Sequence, residues 1–235
     1  MHTCLFLTFR SEASSLAAPE IAKLEAFLRA IPKLRKALLH MPDAASDPYV
    51  KDHAPPLLVL QLYYDRLSDL EAALSRSGPL HALTSHEEYP ALATTDVAQQ
   101  AMMVRAFGVP EPEFQNPRGT SHCTYLVSYE GEAEDLNAWL DHYLGSHTGH
   151  MARFPGIREL EVYTRLDWVS SLPWPRLNFM QRNKVVFDSP EALTQALHSP
   201  VRHEMRADFH SFPAFTGPNR HYAMATRVVD LLSLR

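Results

Sequence analysis

Several features that would assign a protein class at once are scarce or missing in this sequence. Its 235 residues include only two cysteines, Cys4 and Cys123, and no CxxC pair, which is too few for a disulfide scaffold. This cysteine usage favours a reducing, cytoplasmic setting. The motifs GxGxxG, GxxxxGKS/T and GxSxG are absent, so nucleotide cofactors and serine hydrolysis have no support.

Long runs of charged or apolar residues are missing too. The formal net charge is −5 and no Lys/Arg run stands out, so a nucleic-acid partner is not expected. No apolar run reaches transmembrane length, and the opening MHTCLFLTFRSEA has a short apolar stretch and no basic leader. We therefore expect neither a membrane span nor a signal peptide. The apolar residues, 46% of the chain, are enough for a substantial core.

What the sequence does contain is a repeat of itself. Four pairs of segments match at nearly one offset, and three of these pairs lie 122 or 123 residues apart. The pairs are HTCLFLTF (2–9) with HCTYLVSY (122–129), AIPKL (30–34) with RFPGI (153–157), YDRLSDLEAAL (64–74) with FDSPEALTQAL (187–197), and AMMVRAF (101–107) with AMATRVV (223–229). This pattern predicts a tandem duplication, with a first repeat over 1–107, a Pro-containing connection over 108–121 and a second repeat over 122–235.

Each repeat has the same predicted order of strands and helices. A strand comes first, a helix follows, and the chain continues with two strands, a second helix and a closing strand. In the first repeat KALLHM (36–41) has helical propensity, and only the repeat predicts a strand there. The order β-α-β-β-α-β is the ferredoxin-like unit, whose antiparallel sheet leaves one face bare. We therefore predict an α+β fold in which two tandem ferredoxin-like sheets pack face to face as an α+β barrel.

The stretch HTGHMARFPGI (147–157) connects this predicted fold to a known family. It places His147 eight residues before Pro155, which is followed by glycine and a predicted strand. That arrangement resembles the EthD-like branch of the dimeric α+β barrel proteins. The methylmuconolactone methylisomerases of the same superfamily show a similar arrangement and a later segment comparable to FDSPEALTQAL. The resemblance covers most of residues 122–230 and, more faintly, 2–107.

The resemblance implies a fold more specifically than an activity, because the superfamily includes isomerases, cofactor-free monooxygenases and haem enzymes. In members that act as isomerases or lyases, a histidine at this point faces the barrel interior, which implies the same for His147. The first repeat departs from the pattern, since Leu24 stands at the position matching His147 and Lys33 at the position matching Gly156. The resemblance thus implies one working cavity, in the second repeat, and a first repeat that closes the barrel.

His147 is the leading candidate for a catalytic residue. An imidazole can give or take a proton near neutral pH, and one aimed into a half-apolar cavity could move a proton across a small ring. The alternative is a polar side chain that hydrogen-bonds a backbone carbonyl. His150 lies one turn further on and is a candidate substrate-binding residue if the helix persists. The HxxH pair could also hold a metal, but no compact set of three ligands accompanies it, so no metal site is predicted.

Two tyrosines on the first strand of the second repeat are also candidates for substrate binding. Tyr125 and Tyr129 share one face of that strand because side chains alternate along it. If the face looks into the cavity, the hydroxyl groups could orient a substrate. If it faces the helices, the two rings are core aromatics. The period of two does not choose between these interpretations.

Two aromatic or basic segments complete the candidate site. Trp168 and Trp174 lie in RLDWVSSLPWPRLNF (165–179), which either lines a pocket for a flat ring or forms a contact in a homodimer. Arg206 lies in the long segment 198–222. That segment is either a lid whose arginine grips an anionic substrate or an extra helix packed across the barrel mouth.

These observations predict an enzyme without an organic cofactor that acts by proton transfer through His147. The expected substrate is a small, mostly apolar ring compound such as a lactone or an aromatic catabolite, and the expected reaction is of isomerase or lyase type. An alternative of another class is an accessory protein that binds a hydrophobic ligand and catalyses nothing. A further alternative is haem binding, because related two-repeat barrels place a histidine against iron.

Overall fold

Eight antiparallel strands form one closed barrel in the computed structural model, which describes residues 2–12, 15–50, 54–117 and 119–231. The strands are β1 Thr3–Arg10, β2 Lys36–Pro42, β3 Leu58–Tyr64, β4 Asp96–Phe107, β5 His122–Tyr129, β6 Glu159–Arg165, β7 Gln181–Phe187 and β8 Asn219–Val228. Around the barrel they follow the order β1-β3-β2-β8-β5-β7-β6-β4. The predicted α+β fold with a barrel is therefore confirmed.

Helices connect the strands in the predicted order. They are α1 Ala18–Arg29, α2 Leu67–Leu74, α3 Leu136–His142, α4 Thr148–Met151, α5 Pro190–Leu197 and α6 Pro200–Phe209. A 3-10 helix over Pro79–Thr84 follows α2, and a π-helical turn over Tyr143–His147 joins α3 to α4. Helix α5 begins after an N-cap, because the Ser189 side chain accepts a hydrogen bond from the Ala192 amide. Within the described part of the chain, none of the helices has both the length and the apolar character needed to cross a membrane.

Pairing between strands of the two halves closes the barrel. Strand β2 pairs with β8 and β4 pairs with β6, so the edges of the two four-stranded halves meet. The strand order β4-β1-β3-β2 of the first half recurs as β8-β5-β7-β6 in the second half. The segment KALLHM is a strand, as predicted, because it lies between β3 and β8 and pairs with both, which outweighs its helical propensity.

Two turns with positive φ fall at matching positions of the two halves. Lys33 has a φ of 64° and Gly156 a φ of 75°, and the two residues are 123 positions apart. Glycine adopts this left-handed region freely, whereas a lysine there carries the steric penalty of its Cβ atom. The second half thus forms this turn with glycine, the favourable residue, and the first half forms it with lysine. A common origin of the two halves stays a prediction.

Each strand turns one row of side chains into the barrel and the other toward the helices. The outward rows pack under the helices as two large apolar clusters, one mainly from each half. The inward rows form a third cluster to which both halves contribute. Its buried members are Cys4, Phe6, Leu38, Val59, Tyr63, Met102, Leu126, Tyr163, Tyr222 and Met224.

One end of the barrel interior holds a network of charged groups. The ammonium of Lys184, whose side chain is 1% exposed, lies 2.8 Å from Glu159 Oε2 and 3.4 Å from Glu161 Oε2. Tyr63 and Tyr163 each donate a hydrogen bond of 2.6 Å to Glu161. Burial raises the pKa of Glu159, but the neighbouring lysine charges outweigh burial and hold this pKa at about 2. The carboxylates are therefore ionised at neutral pH and balance the buried ammonium.

The predicted connection over residues 108–121 packs against the second half. The Gln115 amide donates a hydrogen bond of 2.9 Å to the Asp188 carboxylate. Glu111 forms an ion pair of 3.2 Å with Arg158. This segment, which connects the two halves, is therefore bound to residues next to the end of β7 and the start of β6. The predicted division of the chain into 1–107 and 122–235 stays a prediction.

Lys184→Met should lower the free energy of unfolding by about 3 kcal/mol. The substitution leaves the carboxylates of Glu159 and Glu161 without their nearest cation, and an uncompensated charge in a protein interior is costly. Chemical denaturation at pH 7 measures the difference.

The matched control for this prediction is Lys36→Met. Lys36 also contacts Glu159, at 3.2 Å, but its side chain is 32% exposed, so its loss should cost at most about 1 kcal/mol. If the two variants were equally stable, the buried ammonium would not be the group that balances this network.

Candidate functional site

A cavity of about 50 Å³ lies between the second-half sheet and the helices that cover it. Tyr125, Tyr129 and Asn183 line it from strands β5 and β7, and His147 and Arg206 line it from the helix side. Much of the remaining wall is apolar and includes Val127, Val185, Leu197, Met205 and Phe209. An apolar wall with a few polar groups is the usual composition of a small-molecule site.

His147 does not face the barrel interior, and that expectation is wrong. Its ring lies 4.9 Å from the ring of Tyr143, and it lines the cavity together with Tyr125 and Tyr129. Leu126, between those two tyrosines, belongs instead to the cluster inside the barrel. A side chain on a covering helix meets the outward face of the sheet, and the sheet itself separates it from the interior.

A π-helical turn carries His147. The turn spans Tyr143–His147, and the helix resumes as α4 as far as Met151. The helix therefore persists past Gly145 and Gly149, although each glycine costs roughly 1 kcal/mol relative to alanine in a helix interior. Such wide turns within helices occur frequently at functional sites, because they change the direction of the side chains that follow.

Asp208, on α6, orients the His147 ring. His147 Nδ1 lies 2.7 Å from Asp208 Oδ2, and the two side chains are 6% and 9% exposed. An ionised carboxylate only accepts hydrogen bonds, so this pairing places the ring proton on Nδ1 and leaves a free lone pair on Nε2. No hydrogen bond to Nε2 is formed by any of the residues that the structure describes. The arrangement is that of an imidazole held in one tautomer.

Asp208 collects further donors from the end of α3 and the π-helical turn. Ser146 Oγ donates a hydrogen bond of 2.8 Å to Oδ1, and His142 Nε2 lies 3.2 Å from the same oxygen. Burial raises the pKa of Asp208, but the hydrogen bonds from His147 and Ser146 outweigh burial and hold this pKa below its ordinary value. The carboxylate is therefore ionised at neutral pH. Among the described residues, no group of three His, Cys, Asp or Glu side chains is placed to hold a metal ion.

Burial makes His147 a weaker base than an exposed histidine. It lowers the pKa of His147 from 6.5 to about 4, and the hydrogen bond and charge of Asp208 oppose this shift only in part. The positive charge of Arg202 acts in the same direction as burial. His147 is therefore neutral at pH 7, with Nε2 available to accept a proton.

Hydroxyl and amide groups lie on the cavity wall beside the imidazole. Asn183 Nδ2 donates a hydrogen bond of 2.7 Å to the Tyr143 hydroxyl, while Asn183 Oδ1 is buried without a hydrogen-bond partner among the described residues. The Tyr143 hydroxyl in turn points to the sulfur of Met151 at 3.7 Å, which is a weak acceptor. Burial raises the pKa of Tyr143 well above 10, so the hydroxyl keeps its proton and can donate it to a ligand oxygen.

A residue of the first half completes one side of the site. Arg202 Nη2 lies 2.8 Å from Asp47 Oδ2, and the Tyr125 hydroxyl donates a hydrogen bond of 2.9 Å to the same oxygen. Asp47 lies between β2 and β3, so the two halves share the site. Asp47 and Asp208 were not predicted from the sequence as site residues. Neither belongs to a motif, and only the folded chain brings them to Tyr125 and His147.

The predicted substrate-binding residues of the second half fall into two groups. Tyr125, Tyr129 and Arg206 line the cavity, as expected for residues of a binding site. His150 is not among the residues of the cavity wall. Its ring is 28% exposed and lies 3.5 Å from the Glu204 carboxylate at the surface. The roles of these residues in binding stay predictions.

Trp168 and Trp174 lie outside this cavity. Both pack against the core of the first half, where Trp168 is 7% exposed and Trp174 meets the ring of Phe9 at 5.8 Å. The segment that carries them is held on β4, because the Gln99 side chain donates a hydrogen bond of 2.7 Å to the Trp174 carbonyl. Trp168 therefore does not offer the exposed surface that a homodimer contact needs, and Trp174 borders a different cavity.

Asp208→Asn should move the pKa of His147 further below about 4, because the carboxylate raises this pKa against the effect of burial. The chemical shift of the His147 ring C–H, followed by NMR as the pH is lowered, measures the change. The ring should stay neutral to a lower pH in the variant than in the unsubstituted protein.

Glu204→Gln is the matched control, since it removes a carboxylate that contacts His150 and Arg153. This variant should leave the pKa of His147 unchanged. A pKa of His147 that rises in the Asp208 variant would show that the hydrogen bond does not act on the imidazole as the geometry indicates.

Comparison with known proteins gives a match in fold but not in sequence. No protein-family model matches the chain, and no curated protein matches it in sequence. An anthrone oxidase-like protein superposes with a TM-score of 0.62 at 14% identity, covering 100% of this chain and 96% of that protein. A monooxygenase-like protein from Lactobacillus acidophilus NCFM gives a TM-score of 0.53 at 12% identity, covering 98% of this chain and 96% of its own.

A mutant chlorite dismutase from Candidatus Nitrospira defluvii gives a TM-score of 0.53 at 12% identity, covering 95% of this chain and 91% of its own. At such low identity, these likenesses show the fold alone. Together with the closed eight-stranded barrel, they show that the chain shares the fold of these proteins, with the whole barrel formed within one polypeptide.

Proposed function

We propose that this chain is an enzyme that moves a proton on a small, mostly apolar ring compound, with His147 as the base. The observation that carries the proposal is the buried His147–Asp208 pair on the wall of an apolar cavity. The carboxylate leaves Nε2 as the free nitrogen, and burial keeps it unprotonated at neutral pH. An oriented, neutral imidazole beside an apolar pocket is suited to take a proton from carbon and to return it.

The reaction that fits these groups is a proton shift beside a carbonyl. His147 Nε2 takes a proton from the carbon next to the carbonyl, and the electron pair of that C–H bond forms an enolate. The imidazolium then returns the proton at a second carbon, so a double bond moves and the net change is isomerisation. Asp208 stabilises the transient imidazolium, and the Tyr143 hydroxyl is a donor for the enolate oxygen.

The size of the cavity favours a single small ring as substrate. Its volume of about 50 Å³ is well below the roughly 300–1,000 Å³ of pockets that hold drug-sized ligands. Arg206 lies over this cavity on α6, with its guanidinium against the rings of Tyr49 and Phe209. It makes no ion pair with any residue in the described part of the chain, which suits it to a carbonyl or carboxylate oxygen of the substrate.

A haem does not fit these residues as they are arranged. His147 Nε2 is a nitrogen that could ligate iron, but a porphyrin is larger than the ligands of ordinary pockets, and this cavity is smaller than those pockets. The space beside His147 is occupied by Tyr129, Tyr143 and Phe212. The proposed reaction therefore uses the side chains of the chain itself.

We also propose that the halves are tandem ferredoxin-like repeats of the EthD-like type, with the site in the second and barrel closure as the role of the first. The recurring strand order and the matching turns at Lys33 and Gly156 support a duplication. Leu24, at the position that matches His147, is 1% exposed and packs in the core of the first half. This packing supports one site rather than two.

α-Angelica lactone, a single-ring lactone whose double bond migrates by proton transfer, tests the proposed activity. We expect the protein to accelerate its conversion to the conjugated isomer, followed by ultraviolet absorbance, and to exchange its mobile protons for deuterium, followed by NMR. His147→Gln should lower kcat/KM by at least about 100-fold, which is the scale of a lost general base. The surface variant His150→Gln is the matched control and should retain the activity.

Each other outcome of this experiment has a definite meaning. Equal turnover by the His147 variant and the unsubstituted protein contradicts the proposal, as does the absence of both binding and turnover. Saturable binding of the lactone without isomerisation or exchange would establish a ligand-binding protein in place of an enzyme. A Soret band in the purified protein would establish the haem alternative.

Activity should fall on the acid side at a lower pH than is usual for a histidine base. His147 must be neutral to accept a proton, and because burial lowers its pKa to about 4, kcat/KM should halve near that pH. A pH profile of kcat/KM measures this limb. A limb centred near the ordinary histidine value of about 6.5 would show that the base is a histidine in another environment.

A further inference from the structure

A second cavity, of about 1000 Å³, opens inside the barrel on the other face of the same sheet. Inward side chains form much of its wall, among them Thr8, Arg182 and Tyr222, and Trp174 also lines it. Because inward and outward side chains alternate on β7, Arg182 faces this cavity while its neighbour Asn183 faces the cavity of His147. The barrel wall therefore separates two compartments.

Arg182 is a buried cation that forms no ion pair with any of the described residues. The residue is 4% exposed, and its guanidinium lies 4.7 Å from the ring centre of Phe6 and 4.8 Å from that of Phe179. The guanidinium makes no hydrogen bond or ion pair with any residue that the structure describes, and its Nε is buried without a partner. Burial lowers the pKa of Arg182 to about 10, so the group is still charged at pH 7.

Glu130 is the carboxylate whose charge acts on Arg182. This charge raises the pKa of Arg182 against the effect of burial, but Glu130 forms no ion pair with the guanidinium. The Glu130 carboxylate forms an ion pair with Arg220 instead, at 3.3 Å. With Arg10 and Asp96, three arginines and two carboxylates line the cavity, which leaves its wall with a net charge of +1. The desolvation of a guanidinium is costly when no acceptor replaces the lost water, so a buried unpaired arginine indicates a place for an anion.

Neutral polar atoms of the same region also lack partners. Thr8 Oγ1 is buried without a hydrogen-bond partner among the described residues, and Thr8 lines the cavity. Gln100 Oε1 is unpartnered as well, and Gln100 lies opposite Phe6 in the β1–β4 pairing. The threonine hydroxyl is a donor that could join the guanidinium in holding a carboxylate.

We propose that the barrel cavity binds a small monoanionic carboxylate with a flat apolar body, whose carboxylate pairs with Arg182. The guanidinium offers paired N–H donors that match the two oxygens of a carboxylate. Trp174, Leu177 and Phe179 line the same cavity and supply apolar and aromatic surface for the body of the ligand. This site is independent of the reaction proposed for His147, because it lies on the opposite face of the sheet.

Benzoate is the probe for this site, and benzamide is its neutral counterpart of the same shape. We expect benzoate to bind with one-to-one stoichiometry in calorimetry, with a Kd below about 1 mM, and benzamide to bind at least tenfold more weakly. In protein with 15N-labelled arginine, benzoate should shift the Nε–Hε resonance of Arg182, identified by its loss in Arg182→Met.

Arg182→Met should weaken benzoate binding at least tenfold. The variant removes a buried charge and keeps a long apolar side chain, a change that proteins often tolerate. Arg227→Met is the matched control, since Arg227 lies on β8 but is 44% exposed and pairs with Glu25 outside the cavity. His147→Gln should also leave benzoate binding unchanged.

Three results would overturn this proposal. The first is no saturable binding of benzoate up to about 10 mM. The second is equal binding of benzoate and benzamide, and the third is unchanged binding of benzoate by Arg182→Met. Loss of benzoate binding in the His147 variant would place the anion in the other cavity and would equally overturn it.

Discussion

Closure of the barrel through the pairs β2–β8 and β4–β6 is the constraint on which the rest of the structure depends. A closed sheet gives every strand one row of side chains inside and one outside. The outer row has to be covered by helices, and the space left beneath them is the cavity of His147. The inner row has to fill the barrel. Strand β7 contributes to both sides of the sheet, since Arg182 and Lys184 point into the barrel while Asn183 points toward the helices.

Burial has different electrostatic consequences on the two sides of this sheet. Under the helices it keeps His147 neutral, and the ionised Asp208 fixes which nitrogen carries the proton. Inside the barrel, Lys184 forms ion pairs with two carboxylates at one end, whereas Arg182 at the other end forms none with the described residues and is influenced only by the more distant charge of Glu130. A group that is neutral but oriented suits proton transfer, and a cation without a counterion suits anion binding.

The order of strands and helices along the chain was predictable from the sequence because similar segments recur at an offset of about 122 residues. These segment matches predicted KALLHM as a strand against its own helical propensity, and both Lys33 and Gly156, 123 positions apart, have a positive φ. The sequence did not predict which face of each strand points into the barrel, since side chains alternate with a period of two in the inward and the outward row alike. His147, on a covering helix, was expected inside the barrel because the family resemblance implied that position. Nothing in the neighbouring sequence marks Asp208 or Arg182 as a site residue. Asp208 matters because it contacts His147, which is distant in sequence, and Arg182 matters because no described residue forms an ion pair with it.

The tautomer of the His147 ring tests the central claim most directly. The nitrogen resonances of the histidine rings, recorded by 15N NMR at pH 7 and assigned through their loss in His147→Gln, report which nitrogen carries a proton. We predict that Nδ1 is protonated and that Nε2 has a free lone pair. A proton on Nε2, or on both nitrogens at that pH, would contradict a neutral imidazole held by Asp208 as a base.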